Sequence, residues 1–426
     1  MTGEQKLKAF TEANYQKTLT KVNDRIYHFL AYGHSNSIGI IGDTSVILID
    51  ALDSPGYGED LKKELREITD KPVKTIIYTH GHPDHRGGAG VFRNTVKEVI
   101  AFAPEKPMLK YYDRLQDVLI QRGGDQFGYG LTDEENISQG IGIREGRAMG
   151  KGAPDILAPT TIYREKEVER VIDGVKLKMV RAMGETDDQI LIWLEDDQVI
   201  CTGDNYYGCW PNLYAIRGTQ YRDIATWIDS LDMILSYEAE ALLPGHTKPL
   251  LGREKIKDQV GTFRDAIEYV LLKTLDCMNQ GMSMSETVEH VKLPEVYLKK
   301  DYLGEFYGTV EWSVKGIYCG YVGWFDGNPV HLFPVSDKEY QATLRELIGP
   351  DKLKEKISSC LESKEYQMAL QLLELIDWEE EEKKHQDIGG KMGWRELKKK
   401  ALLGRAEQVT SANGRHYLIA GAKKIK

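Results

Sequence analysis

The chain has little that points to a membrane, an export route or a nucleic acid. None of its apolar runs approaches the roughly 20 residues that cross a bilayer, and the opening MTGEQKLKAFTEANYQKTLTKVNDR is polar and mixed in charge, unlike a signal peptide. Cysteine is scarce. The five residues Cys201, Cys209, Cys277, Cys319 and Cys360 are odd in number and form no C-x-x-C pair, which excludes a disulfide framework and a cysteine zinc site. They read as thiols of a reducing compartment, and the cytoplasm is the expected location. A basic surplus is also missing: 66 acidic against 56 basic residues leave a net charge of −10, which opposes binding along a phosphate backbone. A small anionic ligand would need a local positive site. Low complexity is absent too. With 41% hydrophobic and 29% charged residues the composition is globular, and 426 residues exceed one ordinary domain.

Short β-rich runs come first. RIYHFLAYG (25–33), SIGIIG (37–42) and SVILID (45–50) are separated by turn signals and predict a strand meander. YGEDLKKELREITDK then shows helical spacing and is followed by the apolar strand VKTIIYTH. VIDGVKLKMVRAM and QILIWLEDDQVICTGD read as two further strand pairs, so the chain up to residue 257 is expected to hold two sheets covered by helices. Between these halves, residues 121–159 are Gly-rich and aperiodic, the mark of a functional loop. From Asp258 the period becomes helical, with Val260, Phe263, Ile267, Val270, Leu271 and Leu275 on one stripe ending at Gly281. A helical domain is therefore expected over 258–426. In it KLKEKISSCLES and EYQMALQLLELIDW resemble one helix-turn-helix repeat, which cannot bury its face alone. DWEEEEKKHQD reads as a charged helix or linker, and GWRELKKKALLGRAEQ as a last helix.

The chemistry concentrates in T-H-G-H-P-D-H-R-G-G (79–88), where His80, His82, Asp84 and His85 follow an apolar strand. Imidazole nitrogens and carboxylate oxygens suit a borderline cation such as Zn²⁺, and two interleaved ligand sets can hold two ions close together. Only ten histidines occur in the chain, so three within six positions are no surface accident.

This segment resembles the H-x-H-x-D-H signature of the metallo-β-lactamase superfamily, which implies an αββα sandwich and further ligands at Glu185 (MGETDD), Asp204 (CTGDN) and His246 (LPGHTKP). Glu185 stands where most of that superfamily has histidine. Together with NLYAIRGTQYRD and LGEFYGTVEWSVKGIYCGYVGWFDGNPVHLFP, it makes the chain similar to the alkylsulfatase branch. The resemblance implies that Asn212, Arg217 and Tyr129 meet a sulfate group. It also implies that Asp84 acts in catalysis beside Arg217 and Asn212, and that the helical domain, with Trp312, Tyr318, Tyr321, Trp324 and Phe325, forms a homodimer. A guanidinium fork suits an anion spread over three oxygens. Two departures stand out: Asp204 lies in G-D-N where that branch has Glu in A-E-N, and Gly208-Cys209 replace a histidine-containing stretch. The chain also ends near where a lipid-carrier-like domain begins in that branch, which argues against long-chain detergents as substrates.

The expected protein is thus a hydrolase of alkyl sulfate esters with two zinc ions per chain, manganese or iron being the other options. A superfamily hydrolase of thioesters, lactones or phosphodiesters is the rival, and a metal-holding dimeric scaffold without activity is the non-enzyme alternative.

Overall fold

A computed structural model describes residues 1–376 and 393–425; the charged run expected at Asp377–Asp387 lies outside the described residues. Strands β1 (Thr18–Lys21), β2 (Ile26–Leu30), β3 (Ser37–Ile41), β4 (Val46–Ile49), β5 (Val73–Ile77), β6 (Glu98–Phe102) and β7 (Thr161–Tyr163) form a seven-stranded sheet in chain order. β1 to β4 are an antiparallel meander, and β4 to β7 pair in parallel. A second sheet of six strands has the order β13-β12-β11-β10-β9-β8, built from β8 (Glu167–Ile172), β9 (Val175–Arg181), β10 (Ile190–Leu194), β11 (Val199–Gly203), β12 (Ala241–Pro244) and β13 (Leu250–Leu251).

Strand periodicity explains the layering, because successive side chains leave a strand on opposite faces. On β4, Ile47 and Ile49 enter the core between the sheets with Ile190, Ile192 and Leu194 of β10. Val46 and Leu48 join an outer cluster with Leu61 and Leu65 of the helix Pro55–Ile68. On β10, Leu191 and Trp193 likewise turn outward to Trp227 and Leu231 of the helix Ile224–Ser236 and to Val260 and Phe263 of the helix Arg253–Asn279. Strands buried on both faces read as continuous apolar runs, which is why SVILID and QILIWL lack polar alternation. The result is the expected sandwich of helix, sheet, sheet and helix, followed by a helical region.

The expected division at 257/258 falls inside the helix Arg253–Asn279, which packs on β12, β13 and the helix Ile224–Ser236 on one side and on the helix Val310–Val322 on the other. The helix pair Pro350–Glu362 and Tyr366–Leu373 finds the partner a lone repeat needs in Trp394–Gln408: Leu353, Ile357, Cys360 and Leu373 bury against Leu397 and Ala401. The last helix, Ala412–Lys424, lies on the helix Gln116–Gln126, which replaces the start of the expected loop. No described helix is long and apolar enough to cross a membrane.

Candidate metal centre

β5 ends at Ile77, and the chain then turns through a short 3₁₀ helix, Pro83–His85, whose first residue is preset for helical φ by its ring. This fans His80, His82, Asp84 and His85 into one space. Asp204 enters from the end of β11 and His246 from beyond β12, both on the second sheet, while Glu185 comes from the β9–β10 connection. All seven residues expected from the sequence therefore converge at the carboxyl rims of the strands. His80 Nε2 lies 3.0 Å from His82 Nδ1 and 3.7 Å from Asp204 Oδ2. His82 Nδ1 is 4.0 Å from Glu185 Oε1. His85 Nε2 is 3.4 Å from Asp84 Oδ2 and 3.3 Å from Asp204 Oδ1, and His246 Nε2 is 3.4 Å from both Asp84 Oδ2 and Asp204 Oδ2. Asp204 thus touches both halves of the cluster, as a bridging carboxylate must.

The imidazoles are oriented from behind. His85 Nδ1 donates to Asp50 Oδ2 at 2.7 Å, and His246 Nδ1 donates to the His34 carbonyl at 3.1 Å. The Thr79 hydroxyl donates to Asp50 Oδ2 at 2.7 Å and so accepts from His80 Nδ1 at 3.0 Å. Each arrangement leaves the other ring nitrogen, Nε2, as a lone pair facing the cluster, the tautomer a metal ligand requires. Asp50 itself holds a left-handed backbone (φ 55°) and also accepts the Thr79 N–H at 2.8 Å. Asp50, Thr79 and His34 were not singled out in the sequence. Asp50 and His34 lie 35 and 212 residues from the rings they orient, whereas Thr79 adjoins His80 but is not itself a ligand type.

Does the donor set fit a metal? His85 Nε2, His246 Nε2, Asp204 Oδ1 and Glu185 Oε2 are buried without a hydrogen-bond partner among the described residues, and such orphans are costly unless a cation satisfies them. Electrostatics agree. Burial alone would push the Asp84 and Asp204 carboxyls up, yet the surrounding imidazoles hold both well below the usual range. Burial would push His246 down, but Asp204 and Asp84 outweigh it and raise it to about 9. The cluster demands positive charge at its centre. The residues present fit a divalent pair.

Glu185 has a second partner. Arg222 Nη1 lies 2.8 Å from Glu185 Oε1, both residues being buried, and the same nitrogen donates to the Asn212 carbonyl. Burial raises the Glu185 carboxyl against the pull of Arg222. The negative charge that a carboxylate adds here, in place of a neutral histidine, is therefore met by a guanidinium. Arg222 lies within NLYAIRGTQYRD but was not recognised as a site residue, since one arginine among several carries no signature.

In front of the cluster opens a cavity of about 230 Å³, lined by His82, Asp84, Glu185, Asp204 and His246 of the cluster together with Phe127, Tyr129, Glu145, Arg217 and Tyr307. Arg217 is held at its N–H by Gln126 Oε1 (3.0 Å), and its guanidinium lies 5.8 Å from the Phe127 ring centre. Tyr129 donates to Glu145 Oε2 at 2.5 Å. Asn212, expected beside Arg217, is set back from this lining; it is buried with its Nδ2 unpartnered among the described residues. Gly208, in the stretch that departs from the resembled branch, donates its N–H to Thr247 Oγ1 at 3.1 Å.

A family model described as Metallo-beta-lactamase superfamily matches residues 31–246, just over half of the chain, and one described as Alkyl sulfatase dimerisation matches residues 283–426. A linear primary-alkylsulfatase of Pseudomonas sp. is 36% identical over 313 residues, 71% of this chain and 59% of that protein. An alkyl/aryl-sulfatase of Saccharomyces cerevisiae is 29% identical over 344 residues, 78% of this chain and 53% of that protein. The chain therefore spans little more than half the length of these curated relatives. A stereoselective inverting sec-alkylsulfatase of Pseudomonas sp. superposes with a TM-score of 0.85 at 23% identity, over 99% of this chain and 67% of that one. That last likeness is one of fold.

Proposed function

Because the chain belongs to the metallo-beta-lactamase superfamily, we propose that it is a metal-dependent hydrolase cleaving sulfate esters of alkyl alcohols. The observation that carries the reading is the buried cluster of His80, His82, Asp84, His85, Glu185, Asp204 and His246 opening onto a cavity walled by Arg217. The alkylsulfatase relatives and the matched dimerisation segment support sulfate as the anion.

His80, His82 and Glu185 would hold one ion, Asp84, His85 and His246 the other, and Asp204 both. The nitrogen and oxygen donors favour zinc, with manganese or iron as alternatives, and the ions when bound supply Lewis acidity toward a water and the ester. The chain's own residues do the rest. Asp50 and Thr79 fix the ligand tautomers. Arg222 neutralises Glu185. Arg217 receives the sulfate oxygens, with Tyr129 in the same cavity lining, and Asn212 contributes by fixing Arg222 through its carbonyl. The five unpaired cysteines support a reducing, cytoplasmic setting, and the matched dimerisation segment supports a homodimer.

The test is to strip the protein with a chelator, return zinc, and score sulfate release from short and medium alkyl sulfates beside a panel of thioesters, lactones and phosphodiesters. Sulfate release should vanish and return with the metal; activity that survives full chelation would sink the reading. Arg217→Ala should lower turnover by about 10²-fold, the effect of removing one preorganised donor, with an unchanged melting temperature.

A further inference from the structure

Glu145 stands apart from the ligand cluster yet lines the same cavity, facing Asp84, His246 and Arg217. Its Oε2 is fixed by the Tyr129 hydroxyl at 2.5 Å. The Tyr129 ring is itself held between Phe127, stacked at 6.1 Å, and the Arg147 guanidinium at 5.5 Å. The carboxyl is therefore placed, not loose. The other cavity carboxyl outside the cluster, Asp53, is already committed as an acceptor for the N–H groups of His34 and Gly146. Among the described residues, the Tyr129 hydroxyl is the hydrogen-bond partner of the Glu145 side chain.

We propose, on the sulfate-ester reading above, that Glu145 is the acid that protonates the departing alcohol. Burial pushes this carboxyl up to about 8, with Asp84 and Asp53 pushing the same way and Tyr129 and Arg217 pulling against them, which favours the protonated form an acid needs. Water supplies the oxygen of the new S–O bond. The bond between sulfur and the alkyl oxygen breaks, and its electron pair goes to that oxygen. The oxygen takes the Glu145 proton, and a proton released by the attacking water returns to the carboxylate. The products are the alcohol and hydrogen sulfate. An aliphatic alkoxide is a poor leaving group and needs this proton, whereas a nitrophenolate does not.

That difference is the experiment. Zinc-loaded wild type and Glu145→Gln are assayed on pentyl sulfate and on 4-nitrophenyl sulfate. Glu145→Gln should lower kcat/KM on pentyl sulfate on the order of 10²-fold and on the nitrophenyl ester by less than about threefold, as expected for loss of general-acid catalysis. Equal losses on both esters would make Glu145 structural and overturn the proposal. So would an unchanged rate on pentyl sulfate, or ¹⁸O from labelled water in the pentanol, which would place the broken bond at carbon. If Glu145→Gln does not fold, wild type decides: a high-pH fall in kcat for pentyl sulfate alone supports the acid, and the same fall for both esters overturns it. Wild type that turns over neither ester removes the sulfate-ester reading itself, and the proposal with it. That result is distinct from a failure of Glu145 in a working sulfatase.

Discussion

At Gly245 the backbone passes so close to the cluster that a Cβ would meet Asp204 Oδ1 at 2.4 Å and His85 Cε1 at 2.9 Å. The neighbours cannot yield, since Asp204 is packed between His85 and His246 and His85 is tied to Asp50. Gly245→Ala should therefore displace Asp204 and lower bound metal per chain, read by elemental analysis of the dialysed protein, while the sheets stay folded by circular dichroism. Glycine in P-G-H is thus a requirement of close approach rather than of a turn. His80, His82, Asp84 and His85 were legible because one strand end carries all four. Glu185, Asp204 and His246 were found through the resemblance, because each is a single residue after a strand. Asp50, Arg222 and Glu145 stayed hidden: each meets its partner only after the chain has folded, 35, 37 and 16 residues away.

Among the elements, the last helix does more than close the helical region. His416 Nδ1 donates to the Gln126 carbonyl at 2.8 Å, and Gln126 Oε1 in turn accepts the N–H of Arg217 at 3.0 Å. Tyr417 donates to the Arg122 carbonyl at 3.0 Å, and Lys424 reaches Asp125. The helix Ala412–Lys424 thus backs the segment that presents Phe127 and Tyr129 to the cavity. Burial pushes His416 down to about 4, whereas an unfolded imidazole titrates near about 6.5. The unfolded state therefore binds more protons between these values, so the contribution of His416 is complete above pH 6.5 and is lost as pH falls toward 4, at most about 3 kcal/mol. His416→Asn, which keeps a donor near the Nδ1 position and cannot titrate, should lose less melting temperature than wild type over that window, measured by calorimetry at fixed ionic strength. The strands of the two sheets were readable from runs such as SVILID and QILIWL. β6, β7 and the support of the loop by a helix some 290 residues later were not, since weak local patterns there are stabilised by distant partners.

For the whole molecule, the segment matched to the dimerisation family carries large apolar side chains on its surface: Trp324 is 73% exposed, Val330 74% and Phe333 92%. The aromatic load noted in the sequence is divided, Tyr318 being buried and Tyr321 and Trp324 open. Exposed apolar surface of this kind suits an interface, and on the homodimer proposed above Phe333→Asp should shift sedimentation velocity profiles from dimer toward monomer, with bound metal unchanged. The proposed ligands also divide, between the rim of the first sheet and that of the second, so the cluster forms only once both sheets have docked. Docking of distant strands comes late in folding, and an interaction formed after the transition state slows unfolding without hastening folding. The metal pair would then act as a latch on a finished sandwich: its removal leaves the refolding rate alone and shortens the lifetime of the native state.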